Sequence, residues 1–211
     1  MDVMDAILSR KSVKQYLRNK IPHDALLSIL DAARWAPAAG NLQNIRMVVV
    51  EESADKRVLA KASAQEFVAD APVVLIVGSD NRGLKKEFGD RGADLYAKQN
   101  VAAAIQNMLL AAEGFGIGSC WVGAFAEAKI RSTFQIKDFI EIHALIMLGY
   151  PAHKLAHQNK LSAYELVSWG RFGNSQLKGS PWPTMPAEPL VTKLQKLHAK
   201  LKEEIGARKK K

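Results

Sequence analysis

Four segments of the chain carry residue types that could do chemistry. The first is Arg10-Lys11-Ser12-Val13-Lys14, with three cations and a hydroxyl within five residues. Arginine grips phosphate with a planar fork and serine adds a donor, so the cluster suits an anionic ligand. Taken alone, it reads as a solvated basic turn. The second is Pro37-Ala38-Ala39-Gly40-Asn41-Leu42-Gln43. Small residues let a flat ligand approach the backbone. Asn41 and Gln43 offer uncharged donors and acceptors that fit the polar edges of a heteroaromatic ring. Taken alone, it is a helix-to-strand loop. The third runs from Gly114 to Phe125, with further glycines at 116, 118 and 123. These glycines mark unusual backbone geometry or close approach. They follow a helix, so they do not make the dinucleotide fingerprint, which needs a strand before and a helix after. Cys120, within the segment, has no acid–base partner nearby in sequence and reads as a small buried residue. The fourth is Gly149-Tyr150-Pro151-Ala152, followed by His153, Lys154, His157 and Lys160. Its histidine spacing matches no metal motif. His143 is placed on one face of its strand with no ligand role.

These segments must be held by the elements between them. Residues 2–9 read as a short helix. Pro22 opens a second helix that ends near Trp35, because Ala36 precedes Pro37. Met47–Val50 has the length of a strand, and Ser53 is placed to cap a helix reaching about Ala64. Val73–Val77 reads as a buried strand stopped by Gly78. Residues 81–91 are charged and loop-like. Ala93–Gly114 reads as one long helix, too apolar for a surface element, so either a core helix or a subunit interface. Cys120–Val122 is a short strand and Ala126–Phe134 a helix. Ile140, Ile142, Ala144, Ile146 and Leu148 alternate with the period of a strand. Glu165–Trp169 reads as a further strand. Residues 173–189 are rich in Pro and Gly, and Leu190, Leu194, Leu197 and Leu201 then mark an amphipathic helix. Interleaved helices and strands place the chain in the α+β or α/β class.

The chain has 211 residues, 48% of them apolar, which excludes a disordered chain and supports one sizeable core. The single cysteine excludes a disulfide framework and a cysteine zinc site, and makes the cytoplasm the expected compartment. No apolar run reaches the roughly 18 residues a membrane span needs. The net charge of +9 invites a nucleic-acid reading. Its distribution argues against that. Residues 190–211 hold eight Lys and Arg against two Glu, a net of +6, so most of the excess lies on a tail. Aromatics are 7%, and no stacking motif is interleaved with the basic residues.

Taken in order, the segments resemble the nitroreductase family of flavin-dependent oxidoreductases. The resemblance runs from about residue 3 to residue 173. It rests on RKSVK at 10–14, APAAGNLQ at 36–43, DAPVVLIV at 70–77, AAAIQNMLLAA at 102–112, GIGSCWVGAF at 116–125 and LGYPA at 148–152. It implies an α+β fold with a central, mostly antiparallel sheet flanked by helices. It also implies non-covalent FMN, NADH or NADPH as electron donor, a small-molecule acceptor such as a nitroaromatic or quinone, and ping-pong hydride chemistry. An intertwined homodimer with FMN at the interface is a further implication. Residues 1–172 would be the FMN-binding domain and residues 173–211 an arm that embraces the partner, ending in the basic amphipathic helix.

Carried over by position, the resemblance implies that Arg10, with Lys11 beside it, binds the FMN phosphate, and that Ser12 lies near the phosphate or ribityl end. Lys14 matches a basic residue near flavin N1 and the C2 carbonyl, where a more usual arginine would add a fork. Ala38, Ala39 and Gly40 match a loop that is often serine-rich. Asn41 and Gln43 match amides that reach the flavin from one subunit or the other. Gln65 is a candidate for the pyrimidine edge. Trp121, Val122 and Gly123 match the strand over the ring, with the Gly123 N–H directed at N5. Lys160 matches a residue, more often arginine, that closes on the phosphate. Asn100 stands where the family pattern suggests an acidic residue. No side chain is assigned as a general acid or base, because the flavin itself carries the hydride chemistry. The alternatives are the same fold with different flavin chemistry (flavin fragmentation, reductive dehalogenation or azoline oxidation), with residues 81–92 and 173–189 building the pocket, or a basic nucleic-acid-binding protein.

Overall fold

A computed structural model describes residues 1–156, 160, 161 and 163–174. The chain divides into two units, Met1–Leu155 and Ala156–Lys211. The first contains α1 (Val3–Ser9), α2 (His23–Ala32), β1 (Ile45–Val50), α3 (Ser53–Ser63), α4 (Phe67–Asp70), β2 (Val73–Asp80) and α5 (Arg82–Arg91). A π-helical turn over Gly92–Tyr96 then leads into α6 (Ala97–Gly114), followed by β3 (Gly118–Val122), α7 (Glu127–Thr133) and β4 (Ile140–Gly149). The strands form one sheet in the order β1-β2-β4-β3, and all three pairings are antiparallel. The α+β expectation with an antiparallel central sheet therefore holds.

Both faces of the sheet are covered, which explains why β2 and β4 read as continuous apolar runs. On one face Leu75, Val77, Ala144, Ile146 and Leu148 pack with Leu26 and Ile29 of α2 and with Val101, Ile105 and Met108 of α6. On the other, Val74, Ile76, Leu145 and Met147 pack with Leu59 of α3, Val68 of α4 and Ile130 of α7. The apolar character of α6 is thus accounted for, on one face, by burial in the core of its own chain. Asn100 is the one polar residue among the buried positions of that helix.

Several local expectations change. Residues 82–91 form α5, not a loop. Its glycines and charges hide the helix from periodicity, and its anchors are the buried Leu84, the Lys85 N–H to Asn81 carbonyl bond at 2.8 Å, and Arg82 on Asp80 at 2.7 Å. Gly89, at φ 63° and ψ −153°, breaks α5 into two helical pieces, so residues 82–92 bring mostly helical backbone where the flavin-chemistry alternative places a pocket loop over 81–92. β2 does not stop at Gly78 but runs on to Asp80. A Cβ at Gly78 would sit 2.6 Å from the Glu141 carbonyl, so the glycine lets two strands approach. Opposite it, the register steps from Val77↔Ala144 to Gly78↔Ile142, which leaves His143 as the extra residue of a bulge. Ser53 is the first residue of α3 and makes no cap; Glu52 holds that position. In the second unit, Ala163–Leu166 is a four-residue helix, α8, where a strand was expected over 165–169. One turn is too short for helical periodicity to register. The expected helix over 190–201 and nearly all of the 173–211 arm lie outside the described residues.

Candidate functional site

The basic segment is a strand-like addition to the sheet edge. Arg10 closes α1, its N–H donating to the Ala6 carbonyl at 3.0 Å. The chain then runs extended beside β3. Ser12 pairs with Ser119, and the Val13 N–H donates to the Ser119 carbonyl at 2.9 Å. Further on, Leu17 N–H donates to the Tyr150 carbonyl at 2.8 Å and Ala152 N–H to the Gln15 carbonyl at 3.0 Å. Side chains alternate in an extended segment. Val13 is buried, so Ser12 and Lys14 point outward and are exposed. The Lys11 ammonium donates to the Leu155 carbonyl at 2.5 Å. Arg10 and Lys14 pair with no carboxylate among the described residues. Ser12, Lys14, Gln15, His153 and Leu155 line a cavity of about 210 Å³.

Glycine at 118 makes this docking possible, since a Cβ there would lie 2.5 Å from Val13 Cγ2. Beneath the segment lies Cys120, buried. Burial pushes its thiol above the ordinary range, opposed by Lys14, the Ser12 hydroxyl and Arg10. Tyr16 is also pushed up by burial, and its hydroxyl donates to the Val13 carbonyl. Lys14 reaches over Phe67, with Nζ 5.3 Å from the ring centroid, which brings it to the turn carrying Gln65. The end of β3 joins the same region. Trp121 is 40% exposed. At exposed Gly123, a Cβ would meet only the Trp121 indole nitrogen, at 4.0 Å. The loop beyond is tied to α3 by the Ala126 N–H to Ala62 carbonyl bond at 2.7 Å. The Val122 side chain is buried in the core, so what this residue can offer a ligand is its backbone.

Ala38–Gln43 lies elsewhere. This loop leads into β1, the opposite edge strand from β3, so β2 and β4 separate it from the Arg10–Lys14 segment. Ala39–Asn41 is a single 3₁₀ turn with Gly40 at φ 57° and Asn41 at φ 55°. Gln43 Nε2 donates to the Asn41 Oδ1 at 2.8 Å, so these two amides are already paired with each other. Asn100 holds the turn from α6, its Oδ1 accepting the Ala39 N–H at 3.0 Å. Asn100 belongs to the site's support although the sequence motif did not place it there. The signal was available: one amide within an otherwise apolar stripe. Lys160 lies in the second unit, exposed.

One chain therefore brings together Arg10, Ser12, Lys14, Gln65, Trp121 and Gly123, and carries Ala38–Gln43 on its far edge. The donor set fits FMN: cations with no carboxylate partner among the described residues for a phosphate, a hydroxyl beside them, and an open strand end with an indole for a flat ring. No group of three or more potential ligands among the described residues could hold a metal ion. No described helix is long and apolar enough to cross a membrane.

Comparison with known proteins matches most of the chain. The family model for the nitroreductase family matches residues 7–66 and 52–150. A protein of Thermus thermophilus named NADH dehydrogenase is 29% identical over 197 residues, 80% of this chain and 96% of that one. A protein of Methanothermobacter thermautotrophicus, named for NADH dehydrogenase or NAD(P)H nitroreductase activity, is 33% identical over 160 residues, 72% and 78% of the two chains. The crystal structure of a nitroreductase family protein from Clostridium novyi NT superposes with a TM-score of 0.67 at 28% identity, covering 86% of this chain and all of that one.

Proposed function

The chain belongs to the nitroreductase family, and from that membership we propose that it is an FMN-dependent oxidoreductase that takes electrons from NADH or NADPH and passes them to a small acceptor, a nitroaromatic or a quinone. The observation that carries the reading is the docking of Arg10–Lys14 along β3 beside Trp121 and Gly123. FMN held there would supply reversible hydride acceptance, so that donor and acceptor use one site in turn, a ping-pong cycle.

The chain's own residues have separable tasks. Arg10, with Lys11 and Ser12, would hold the phosphate. Lys14 would place a positive charge at the pyrimidine end of the ring, where negative charge gathers on reduction, and so favour the reduced state. Gln65 would serve the same end. Gly123 would offer its N–H without a side chain in the way. Asn41 and Gln43, on the opposite edge, would reach a flavin of a second copy. The separation of the two sets supports a homodimer with two shared sites. Residues 1–172 would be the FMN-binding domain.

The test is direct. Purified protein should be yellow, with a flavin band near about 450 nm. Anaerobic titration should bleach that band with NADH or NADPH, and a quinone should restore it over many turnovers. Colourless protein that takes up no added FMN would overturn the proposal. Bleaching without multiple turnover would point to the same fold with different flavin chemistry.

A further inference from the structure

We infer that Asn100 is a positioning residue, and that it sets the Ala39–Leu42 turn as the near end of a one-way amide relay anchored on the Glu141 carboxylate. The chain of bonds is continuous. Ala39 N–H donates to Asn100 Oδ1 at 3.0 Å. Asn100 Nδ2 donates to Asn44 Oδ1 at 3.1 Å. Asn44 Nδ2 donates to Asn81 Oδ1 at 3.2 Å. Asn81 Nδ2 donates to Glu141 Oε2 at 2.9 Å, and also to the Ala93 carbonyl at 3.2 Å, which fixes the same orientation.

The direction of this relay follows from its ends. A backbone N–H can only donate and a carboxylate can only accept. Three amides between them then have one orientation each that satisfies every link. Lys98 and His143 approach the other Glu141 oxygen, at 3.8 and 3.9 Å, and leave Oε2 to Asn81. Asn44 and Asn100 are 5% and 8% exposed, so a wrongly turned amide could not find water instead.

The turn needs such support. Gly40 and Asn41 are both left-handed, a conformation that persists for a non-glycine residue only where its surroundings over-determine it. Asn100 grips the turn just before that pair, through the Ala39 N–H, and its Nδ2 reaches the Leu42 carbonyl just after, at 3.5 Å. The orientation of Asn41, and of Gln43 bonded to it, thus depends on a carboxylate on β4 that neither touches. The consequence for FMN rests on the function proposed above; the relay itself does not.

The experiment measures two quantities in the full-length protein: hydrogen exchange at the Ala39 amide by NMR, relative to the core amide of Ile146, and FMN affinity by flavin fluorescence. Asn81→Asp sets carboxylate against carboxylate at the far link, outside the turn and outside every proposed flavin contact. It should speed Ala39 exchange at least about 10-fold and weaken FMN binding. Adding Glu141→Gln to it lets the glutamine amide donate to the new aspartate while Asn44 still donates to that carboxylate, so Ala39 protection should return in part, the aspartate still facing the Ala93 carbonyl. Unchanged Ala39 exchange in Asn81→Asp, or no recovery in the double exchange, overturns the relay. If Asn81→Asp does not fold, Asn100→Asp decides: it keeps an acceptor for Ala39 but turns an oxygen on Asn44 Oδ1. Faster exchange supports the relay, and unchanged exchange reduces Asn100 to a local contact. Protein that binds no FMN sinks the function proposal, and Ala39 exchange still judges the relay.

Discussion

The N–H of Val13 donates to the carbonyl of Ser119 across 2.9 Å, and this bond decides which way the N-terminal cations face. With Val13 turned into the core, Ser12 and Lys14 must turn out, on the open side of β3. The contact is tight: a Cβ at Gly118 would lie 2.5 Å from Val13 Cγ2 and 2.9 Å from Pro151 Cγ.

Gly118→Ala should therefore lift the segment from the sheet edge. The expected loss of stability is about 1–3 kcal/mol, the usual cost of forcing an extra methyl into a packed site. Val13→Ala removes the closest atom, so the double variant should lose less than the sum of the two single variants. Urea unfolding of the four proteins measures this. Strict additivity would show that the two residues do not press on each other.

Arg10→Ala should weaken FMN binding without unfolding the protein, because the Arg10 side chain has no hydrogen-bond or ion-pair partner among the described residues. Loss of a charge-assisted hydrogen bond costs about 1.5–3 kcal/mol, so the Kd should rise by roughly 10- to 100-fold. Fluorescence titration with FMN reads it, and an unchanged Kd would remove Arg10 from the site.

Lys56 is a buried cation with a structural task. Its ammonium donates to the Ala71 carbonyl at 2.7 Å and the Pro72 carbonyl at 3.2 Å, closing the end of α4. Burial pushes its pKa below the ordinary lysine value. Lys56→Met leaves those carbonyls without that donor and should cost about 1–3 kcal/mol. Flavin content should stay as in the wild type. An unchanged unfolding midpoint would show that the bonds contribute nothing net.

His143 gives the fold a pH dependence of defined sign. Burial holds its imidazole below the ordinary value of 6.5, and its Nε2 lies 2.7 Å from Ser79 Oγ. The unfolded chain therefore takes up a proton at a higher pH than the folded one. The contribution to stability is complete above pH 6.5 and is lost as the pH falls below it. His143→Gln removes this titration, so its stability should fall less than the wild type's between pH 7.5 and 5. Parallel curves for the two proteins would contradict the assignment.

Most of the scaffold was legible in the order of residues. α1, α2, α3, α6, α7 and all four strands follow from periodicity and from breakers such as Pro37 and Gly149, because those signals act within one or two turns of chain. The cofactor class was legible only through the family pattern that the segments make in order, because Arg10, Ser12, Lys14, Asn41 and Gln43 taken one segment at a time fit a solvated turn and a plain loop equally well. What escaped was whatever depends on a distant partner. α5 was hidden because its hold is one buried leucine and an ion pair, not an apolar stripe. Gly78 looked like a stop, and is instead where β4 comes close.

By itself, then, the sequence determined an α+β chain with a basic segment, an amide-bearing loop and a glycine-rich strand, and the nitroreductase pattern they spell out together. Only the tertiary structure decided that the basic segment docks on β3 while the amide loop sits at the opposite edge. It alone set the direction of the bonds from Ala39 through Asn100, Asn44 and Asn81 to Glu141. The reason is physical. Helix and strand preferences are local, whereas strand neighbours and buried amide partners are chosen by packing between residues far apart in the chain, Asn44 and Asn100 among them.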